Sequence, residues 1–186
     1  MAYFKWITIG GSLGFAIIVT ILHIVQPRYN PIEQQMSELA LGEFGALMFF
    51  AFLFLSLSIF ALSLGLRAHQ APVVIRVLLV AASVGILGGG VFRLDVAPNT
   101  HIVSVSLAFV LLVLVMYLLP NYLPYFNSNV RKTVSWVSAA GTAIFIGLGQ
   151  NVLSMGISQR GAVLFVIVWL IFIGSTLMVS KVGHDS

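Results

Sequence analysis

Cysteine is absent from this sequence, and charged residues are scarce. The 186-residue chain contains 9 Lys and Arg, 5 Asp and Glu, and no Cys. The lack of cysteine excludes disulfides, thiolate metal ligands and a cysteine nucleophile. Charged residues make up 8% of the chain, against about 25% in ordinary soluble proteins, so the chain cannot build a water-facing shell. Most of the surface must therefore face another solvent, and lipid is the alternative.

Apolar residues, by contrast, account for 60% of the chain, and the mean hydropathy is +1.08. A helix needs about 20 mostly apolar residues to cross a hydrocarbon layer about 30 Å thick. Six stretches approach this length, with the prolines between them or at their edges: 6–25, 44–66, 73–92, 102–119, 134–153 and 161–180. These stretches predict an all-α fold, in which residues 1–186 form a single bundle of six transmembrane helices.

The distribution of Lys and Arg predicts the orientation of this bundle. Alternate connections divide the basic residues into a larger set, Lys5, Arg67, Arg76, Arg131, Lys132 and Lys181, and a smaller set, Arg28, Arg93 and Arg160. Basic residues accumulate on the cytoplasmic side of membrane proteins, so both termini are expected in the cytoplasm and the smaller set outside. The basic residues are scattered at the segment ends and form no patch with interleaved aromatic residues, so no nucleic-acid partner is predicted.

The longest connection on the predicted outer side covers residues 26–43. Ile32, Met36, Leu39 and Ala40 recur there at helical spacing between polar residues. This spacing predicts a short amphipathic helix at the outer interface that ends at Gly42, with a plain loop as the alternative.

Small residues recur four positions apart in three of the spans. The pairs are Gly10 and Gly14, Gly85 and Gly89, and Ala143 and Gly147. Such pairs allow two helix backbones to approach closely inside a membrane. We therefore expect these positions to lie at contacts between helices.

Polar residues gather on the predicted outer side, and three of them suggest chemistry. Asp95 and His101 flank a proline-containing turn between the third and fourth spans. If the two side chains meet, the carboxylate can fix the histidine tautomer and make an acid–base pair, for which Ser37 is a possible nucleophile. In the alternative, Asp95 only caps the turn and His101 lies in water at a helix N-terminus.

Two arginines and three further polar residues form the candidate ligand-binding set. Arg93 directly follows the third predicted span, and Arg160 directly precedes the sixth, both on the outer side. There they can hold an anionic headgroup or pair with acids such as Glu38. Gln150 and Asn151 lie near the outer end of the fifth span. They can line a polar cavity or make hydrogen bonds between helices.

Neither a metal site nor a cofactor is predicted. His23 and His101 are the histidines on the outer side, and their spacing matches no metal-binding motif. The sequence has no P-loop, no nucleophile elbow and no zinc-protease motif.

Three groups of residues resemble a known family. They are Gln26-Pro27-Arg28-Tyr29 with Met36-Ser37-Glu38-Leu39, Gly90-Val91-Phe92-Arg93-Leu94-Asp95 with His101 and Ala108-Phe109, and Gly156-Ile157-Ser158-Gln159-Arg160. On these residues the chain resembles, over nearly its whole length, the bacterial and archaeal membrane proteins of domain of unknown function family 998. The family usually has a proline where this chain has Arg93, so the local turn is expected to differ.

The resemblance implies six helices in a prokaryotic plasma membrane, and it implies no particular activity. It also implies a common outer site formed by Ser37, Asp95, His101 and Arg160.

The main functional prediction is an integral membrane protein whose outer polar pocket binds a lipid headgroup or small amphiphile, or docks a partner. The first alternative is a lipid hydrolase or transferase that uses the Asp95–His101 pair, and the second is a small-molecule transporter. Membrane lipids are the expected partners. The sequence leaves open whether the protein is an enzyme and which oligomer it forms.

Overall fold

The computed structural model describes residues 2–122, 128–149 and 152–177; within these ranges the chain forms helices joined by turns, without a β-strand. The elements are α1 (Ala2–Val25), a 3₁₀ helix (Met36–Leu41), α2 (Leu47–Arg67), α3 (Val73–Val91), α4 (Pro98–Tyr122), α5 (Asn129–Gly149) and α6 (Met155–Thr176). The predicted all-α class is confirmed.

Five of the six α-helices, all except α5, are long and apolar enough to cross a membrane. α5 differs in composition, because its first turn contains Arg131 and Lys132. Three hydroxyl residues of the same helix, Ser135, Ser138 and Thr142, point into the bundle and are almost completely buried. These polar residues explain why α5 is less apolar than the other helices.

The six α-helices form a closed ring. Each helix packs against the next one along the chain, and α6 also packs against α1. Residues 26–46, which we call the long connection, join α1 to α2 at one end of the ring, which we call the upper end. Because successive helices alternate in direction, the turns from α3 to α4 and from α5 to α6 lie at the same end.

The interior and the exterior of the ring are both apolar. Leu22, Ile59, Leu112 and Trp169 are fully buried and belong to one continuous core. Large apolar side chains also cover the outside of the helices, for example Ile17, Leu57, Val84, Val103 and Leu164. A soluble monomer rarely exposes apolar patches of this extent. The exterior therefore suits contact with lipid.

Hydroxyl groups join α1 to α2 inside the ring. Ser12 Oγ lies 2.8 Å from Ser58 Oγ, and Ser58 Oγ donates a hydrogen bond to the carbonyl oxygen of Thr8 at 2.6 Å. In lipid, such bonds contribute about 0.6 kcal/mol each to helix association.

The predicted small-residue pairs divide into contacts and exposed positions. A methyl group on Gly85 would lie 2.8 Å from the Ser104 carbonyl oxygen of α4, and one on Gly89 would lie 2.5 Å from Val105. These two glycines therefore lie at a close helix contact, as predicted. Gly10 and Gly147 instead face open space.

Five of the six helices begin at positions that differ from the sequence prediction; α1, α5 and α6 begin four to six residues early, at Ala2, Asn129 and Met155 rather than at residues 6, 134 and 161. α2 begins at Leu47 rather than at residue 44, because Phe44 has a φ of 58°, which a right-handed helix excludes. α4 begins at Pro98 rather than at residue 102, since proline fits the first turn of a helix, where its missing N–H is not needed. The predicted ends of the fifth and sixth spans include residues 150–151 and 178–180, which lie outside the described residues.

The long connection contains the predicted short helix in a modified form. It is a 3₁₀ helix that ends at Leu41 with Gly42 as its C-cap, and its residues Met36, Ser37 and Leu39 are buried. Ile32 precedes this helix and is largely exposed. The helix therefore packs down onto the upper end of the ring instead of lying flat at an interface.

Candidate ligand-binding site

The guanidinium of Arg160 ties α6 to the end of α1 and to the long connection. Its Nη2 donates to His23 Nε2 at 2.9 Å and to the Tyr29 hydroxyl, and its Nη1 donates to the Gln34 carbonyl oxygen at 3.2 Å. The guanidinium also lies 5.4 Å from the centre of the Tyr29 ring. We call Arg160, His23 and Tyr29 the Arg160 cluster.

The hydrogen bonds of His23 define its protonation state. Its Nδ1 lies 2.6 Å from the Val19 carbonyl oxygen, which can only accept, so Nδ1 carries a proton. Its Nε2 faces Arg160, which can only donate, so Nε2 accepts. His23 is therefore neutral in this arrangement, and both of its ring nitrogens are hydrogen-bonded, Nδ1 to Val19 and Nε2 to Arg160.

Tyr29 continues the same network into the long connection. Its hydroxyl donates to the Gln35 carbonyl oxygen at 2.8 Å. Burial raises the pKa of Tyr29 above its usual value of 10.0, Arg160 opposes this shift, and the charge of Glu38 adds to it. The hydroxyl thus remains protonated, as its hydrogen bond to Gln35 requires.

Further residues of α6 hold the middle of the long connection. Gln159 Oε1 accepts from the Met36 backbone N–H at 2.9 Å, and Ser154 Oγ donates to the Ile32 carbonyl oxygen at 2.5 Å. Gln159 Nε2 also donates to Gln35 Oε1 at 3.3 Å. The first turns of α6 therefore fix the position of the 3₁₀ helix.

Glu38 has a structural role at the start of the 3₁₀ helix. Its Oε1 accepts from the Gln35 backbone N–H at 2.8 Å, and its Oε2 accepts from Gln34 Nε2 at 3.1 Å. Glu38 also borders an open cleft of about 570 Å³ within the long connection, together with Arg28 and Glu43. Of Arg93, Arg160 and Glu38, the predicted ligand-binding residues that the structure describes, Glu38 lines this cleft.

Ser37 is the residue of the 3₁₀ helix that has an unused polar group. It is 5% exposed, and its Oγ has no hydrogen-bond partner within the described part of the chain. A buried polar group without a partner destabilises a protein by about 1–3 kcal/mol. Such a group suggests that something outside the protein chain satisfies it.

His101 lies at the upper end of α4 and is 4% exposed. Its Nδ1 donates to the Phe92 carbonyl oxygen at 2.9 Å, and its ring packs edge-on against Phe52 at 5.9 Å between centres. With the proton on Nδ1, the neutral ring has Nε2 as an acceptor. No described residue donates to this nitrogen.

Ser37 and His101 line the same two cavities beneath the 3₁₀ helix, which we call the inner and the outer cavity. The inner cavity, of about 40 Å³, has mainly apolar walls that include Phe15, Phe52 and Phe109. The outer cavity, of about 90 Å³, reaches Gly90 and Arg93 at the start of the α3–α4 turn. The structure thus brings the predicted residues Ser37 and His101 to one site.

Asp95 does not join this site as the sequence suggested. Both of its carboxylate oxygens accept from Arg93, at 3.1 Å from Nε and 2.8 Å from Nη2. This ion pair is exposed, because 53% of the Arg93 side chain and 41% of the Asp95 side chain remain accessible. The reason is proximity, since the two residues lie two positions apart in one turn, whereas His101 points inward and uses the Phe92 carbonyl group.

The two predicted anion-binding arginines also have separate roles. Arg93 pairs with Asp95 beside the outer cavity, whereas the guanidinium of Arg160 donates hydrogen bonds to His23 and Tyr29. Gln150 and Asn151 lie outside the described residues. Within residues 2–122, 128–149 and 152–177, no group of three or more His, Cys, Asp and Glu is placed to hold a metal ion.

Sequence reasoning assigned no role to Gln26 or Gln159 in holding the long connection, and it did not connect Tyr29 to Arg160. One signal was available: Gln26-Pro27-Arg28-Tyr29 and Gln159-Arg160 are among the residues that carried the family resemblance. Their partners are backbone carbonyl and N–H groups more than ten residues away, which no local pattern indicates.

The length and apolar surface of the helices make this chain a multi-pass integral membrane protein. A family model described as "Protein of unknown function (DUF998)" matches residues 9–176, and the chain belongs to this family. The expected family is thereby confirmed. No significant match was found among curated proteins or among solved structures.

Proposed function

We propose that this protein spans the cell membrane six times, with both termini in the cytoplasm, and binds an amphiphile in the two cavities beneath the 3₁₀ helix. The polar end of the amphiphile lies at Ser37 and His101, and its hydrocarbon part lies among the apolar walls. The long connection covers this site on the extracytoplasmic side. The amphiphile is a membrane lipid or a small molecule of similar build.

The observation that carries this proposal is the unpaired hydroxyl of Ser37. It is buried beside cavities that His101 also lines, and no described residue donates a hydrogen bond to His101 Nε2. The remaining walls of the inner cavity are mostly apolar, for example Met48, Leu55 and Val163. Apolar walls with a few convergent polar groups are typical of ligand sites.

The volumes of the cavities limit what they can hold in this arrangement. At about 40 and 90 Å³, they accommodate the end of a chain or a few water molecules rather than a whole lipid. A larger ligand requires the 3₁₀ helix to move away from α2 and α4. The hydrogen bonds of the Arg160 cluster and Gln159 would then have to loosen.

Lipid retention tests the proposal. The protein is purified in a mild detergent, and the lipids that remain bound are extracted and measured by mass spectrometry. Replacing Ser37→Ala should lower the retained amount several-fold. The matched control is Thr142→Val, because Thr142 Oγ1 is also a buried hydroxyl without a described partner but lines neither cavity. Equal retention by both variants and the wild type contradicts the proposal.

The six-span orientation is tested by single cysteines, for which the cysteine-free chain is a ready background. Val96→Cys and Val152→Cys replace exposed residues of the upper end, and Val130→Cys replaces an exposed residue of the lower end. In intact cells a membrane-impermeant maleimide should label the first two variants. It should label Val130→Cys only after permeabilisation, and labelling of all three in intact cells rejects the topology.

Lipid hydrolysis is the second candidate, because Ser37 and His101 share both cavities. In this reaction Ser37 Oγ attacks an ester carbonyl carbon, and its proton passes to His101 Nε2 and then to the departing alcohol. Water subsequently releases the acid from Ser37. Against it, Ser37 Oγ makes no hydrogen bond to His101.

A fluorophosphonate probe distinguishes this candidate from simple binding. Labelling of the wild type that disappears in both Ser37→Ala and His101→Gln supports hydrolysis. Absence of labelling in the wild type, with lipid retention intact, leaves binding as the function.

A further inference from the structure

We propose that the amphiphile is uncharged and carries a hydroxyl group at its polar end, as in a long-chain alcohol or an acylglycerol. This inference rests on the proposed binding function and specifies the class of ligand. It follows from the hydrogen-bonding capacity that remains in the two cavities after the protein's own bonds are made.

The two available groups require a ligand atom that both donates and accepts. In the neutral ring His101 Nε2 is an acceptor, because the single ring proton is on Nδ1, which donates it to the Phe92 carbonyl oxygen. The Ser37 hydroxyl has a free proton to donate, since its Oγ has no partner in the part of the chain described here. One ligand hydroxyl can donate to His101 and accept from Ser37 at the same time. A carboxylate or a phosphodiester can only accept, so it leaves Nε2 of the neutral His101 ring unsatisfied.

Gln159 also lines the inner cavity, but its side chain is already hydrogen-bonded within the protein. Gln159 Oε1 accepts from the Met36 backbone N–H, and Gln159 Nε2 donates to Gln35 Oε1. Of the described polar side chains that line the inner cavity, Ser37 and His101 therefore remain to recognise the polar end of a ligand.

The charges around the site also disfavour an anion. No Asp, Glu, Lys or Arg of the described ranges lines the inner cavity. Arg93 borders the outer cavity, but its guanidinium is bonded by both oxygens of Asp95. A buried anion without a cationic partner is strongly disfavoured in apolar surroundings. An anionic headgroup held by Arg93 would have to displace Asp95.

The experiment compares three compounds with the same hydrocarbon chain. Wild-type protein in nanodiscs at pH 8 is labelled with a photoreactive analogue of dodecanol, and unlabelled dodecanol, dodecyl methyl ether or dodecanoate competes with it. The ether accepts but cannot donate, and the carboxylate is charged at this pH. Dodecanol should compete about tenfold more strongly than either, which is the effect of about one good hydrogen bond.

Two variants locate the effect. Ser37→Ala and His101→Phe should each reduce competition by dodecanol towards the level of the ether, whereas Thr142→Val should behave as the wild type. Equal competition by all three compounds overturns the hydroxyl inference and leaves amphiphile binding intact. Labelling that no compound displaces, and that Ser37→Ala does not change, overturns both proposals.

Discussion

Arg160 of α6 donates a hydrogen bond to His23 of α1, with 2.9 Å between Nη2 and Nε2. The bond requires a neutral histidine, because a protonated ring has no acceptor and would place two cations side by side. Through Tyr29 and the Gln34 carbonyl group, the same guanidinium holds the long connection. The cover over the two cavities therefore depends on one arginine that has no carboxylate among its described partners.

The Arg160→Lys variant should loosen this cover. Lysine retains the charge but lacks the flat fork that reaches His23, Tyr29 and two carbonyl groups. We expect a loss of about 1–3 kcal/mol in stability and faster trypsin cleavage at the exposed Arg28. Thermal unfolding in detergent and timed proteolysis measure the two effects. Arg93→Lys is the matched control, and an equal effect of both variants argues against a special role for Arg160.

Tyr29 should ionise at a higher pH than an exposed tyrosine. Burial raises its pKa above 10.0 in the folded protein, so its contribution to stability is present below pH 10 and is lost as the pH rises through the folded value. A tyrosinate can no longer donate to the Gln35 carbonyl oxygen. The difference in absorbance at about 295 nm between wild type and Tyr29→Phe should reveal one tyrosine that titrates above about pH 10. Titration at or below pH 10 contradicts the buried arrangement.

Two adjacent glycines of α1 should respond differently to alanine. A methyl group on Gly11 would lie 2.5 Å from the Phe54 carbonyl oxygen of α2, whereas one on Gly10 meets nothing within 4 Å. Gly11→Ala should therefore destabilise the α1–α2 contact by about 1–3 kcal/mol. Gly10→Ala should be neutral or stabilising by up to about 1 kcal/mol, because alanine favours helix. Thermal unfolding compares the two, and the reverse order would show that Gly10 faces α2.

Asp95→Asn tests the acid–base pair that the sequence suggested. Because Asp95 pairs with Arg93 at an exposed turn, its replacement should change stability by no more than about 1 kcal/mol. Lipid retention should remain at the wild-type level, in contrast to Ser37→Ala. If Asp95→Asn lowers retention as much as Ser37→Ala does, Asp95 acts on His101 after all.

The sequence predicted the helices well because long apolar segments and prolines are local signals. It also predicted a shared site for Ser37 and His101, and the structure places these residues, 64 positions apart in the chain, at the same cavities, whereas their role stays a prediction. The suggested pairing of Asp95 with His101 is not seen, because Arg93, only two positions away, binds both oxygens of the Asp95 carboxylate. The choice between Gly10 and Gly11 depends on how α1 rotates against α2, and spacing alone does not define this rotation.

Gln26 also holds the long connection in place. Its buried side-chain amide donates to the Leu39 carbonyl oxygen at 3.0 Å and to the Glu43 carbonyl oxygen at 2.7 Å. An amide thus closes a loop that many secreted proteins would close with a disulfide. Because no thiol takes part, glutathione or dithiothreitol cannot open the loop. The cover should keep the same stability in reducing and oxidising surroundings, and the protein needs no oxidative folding machinery to form it.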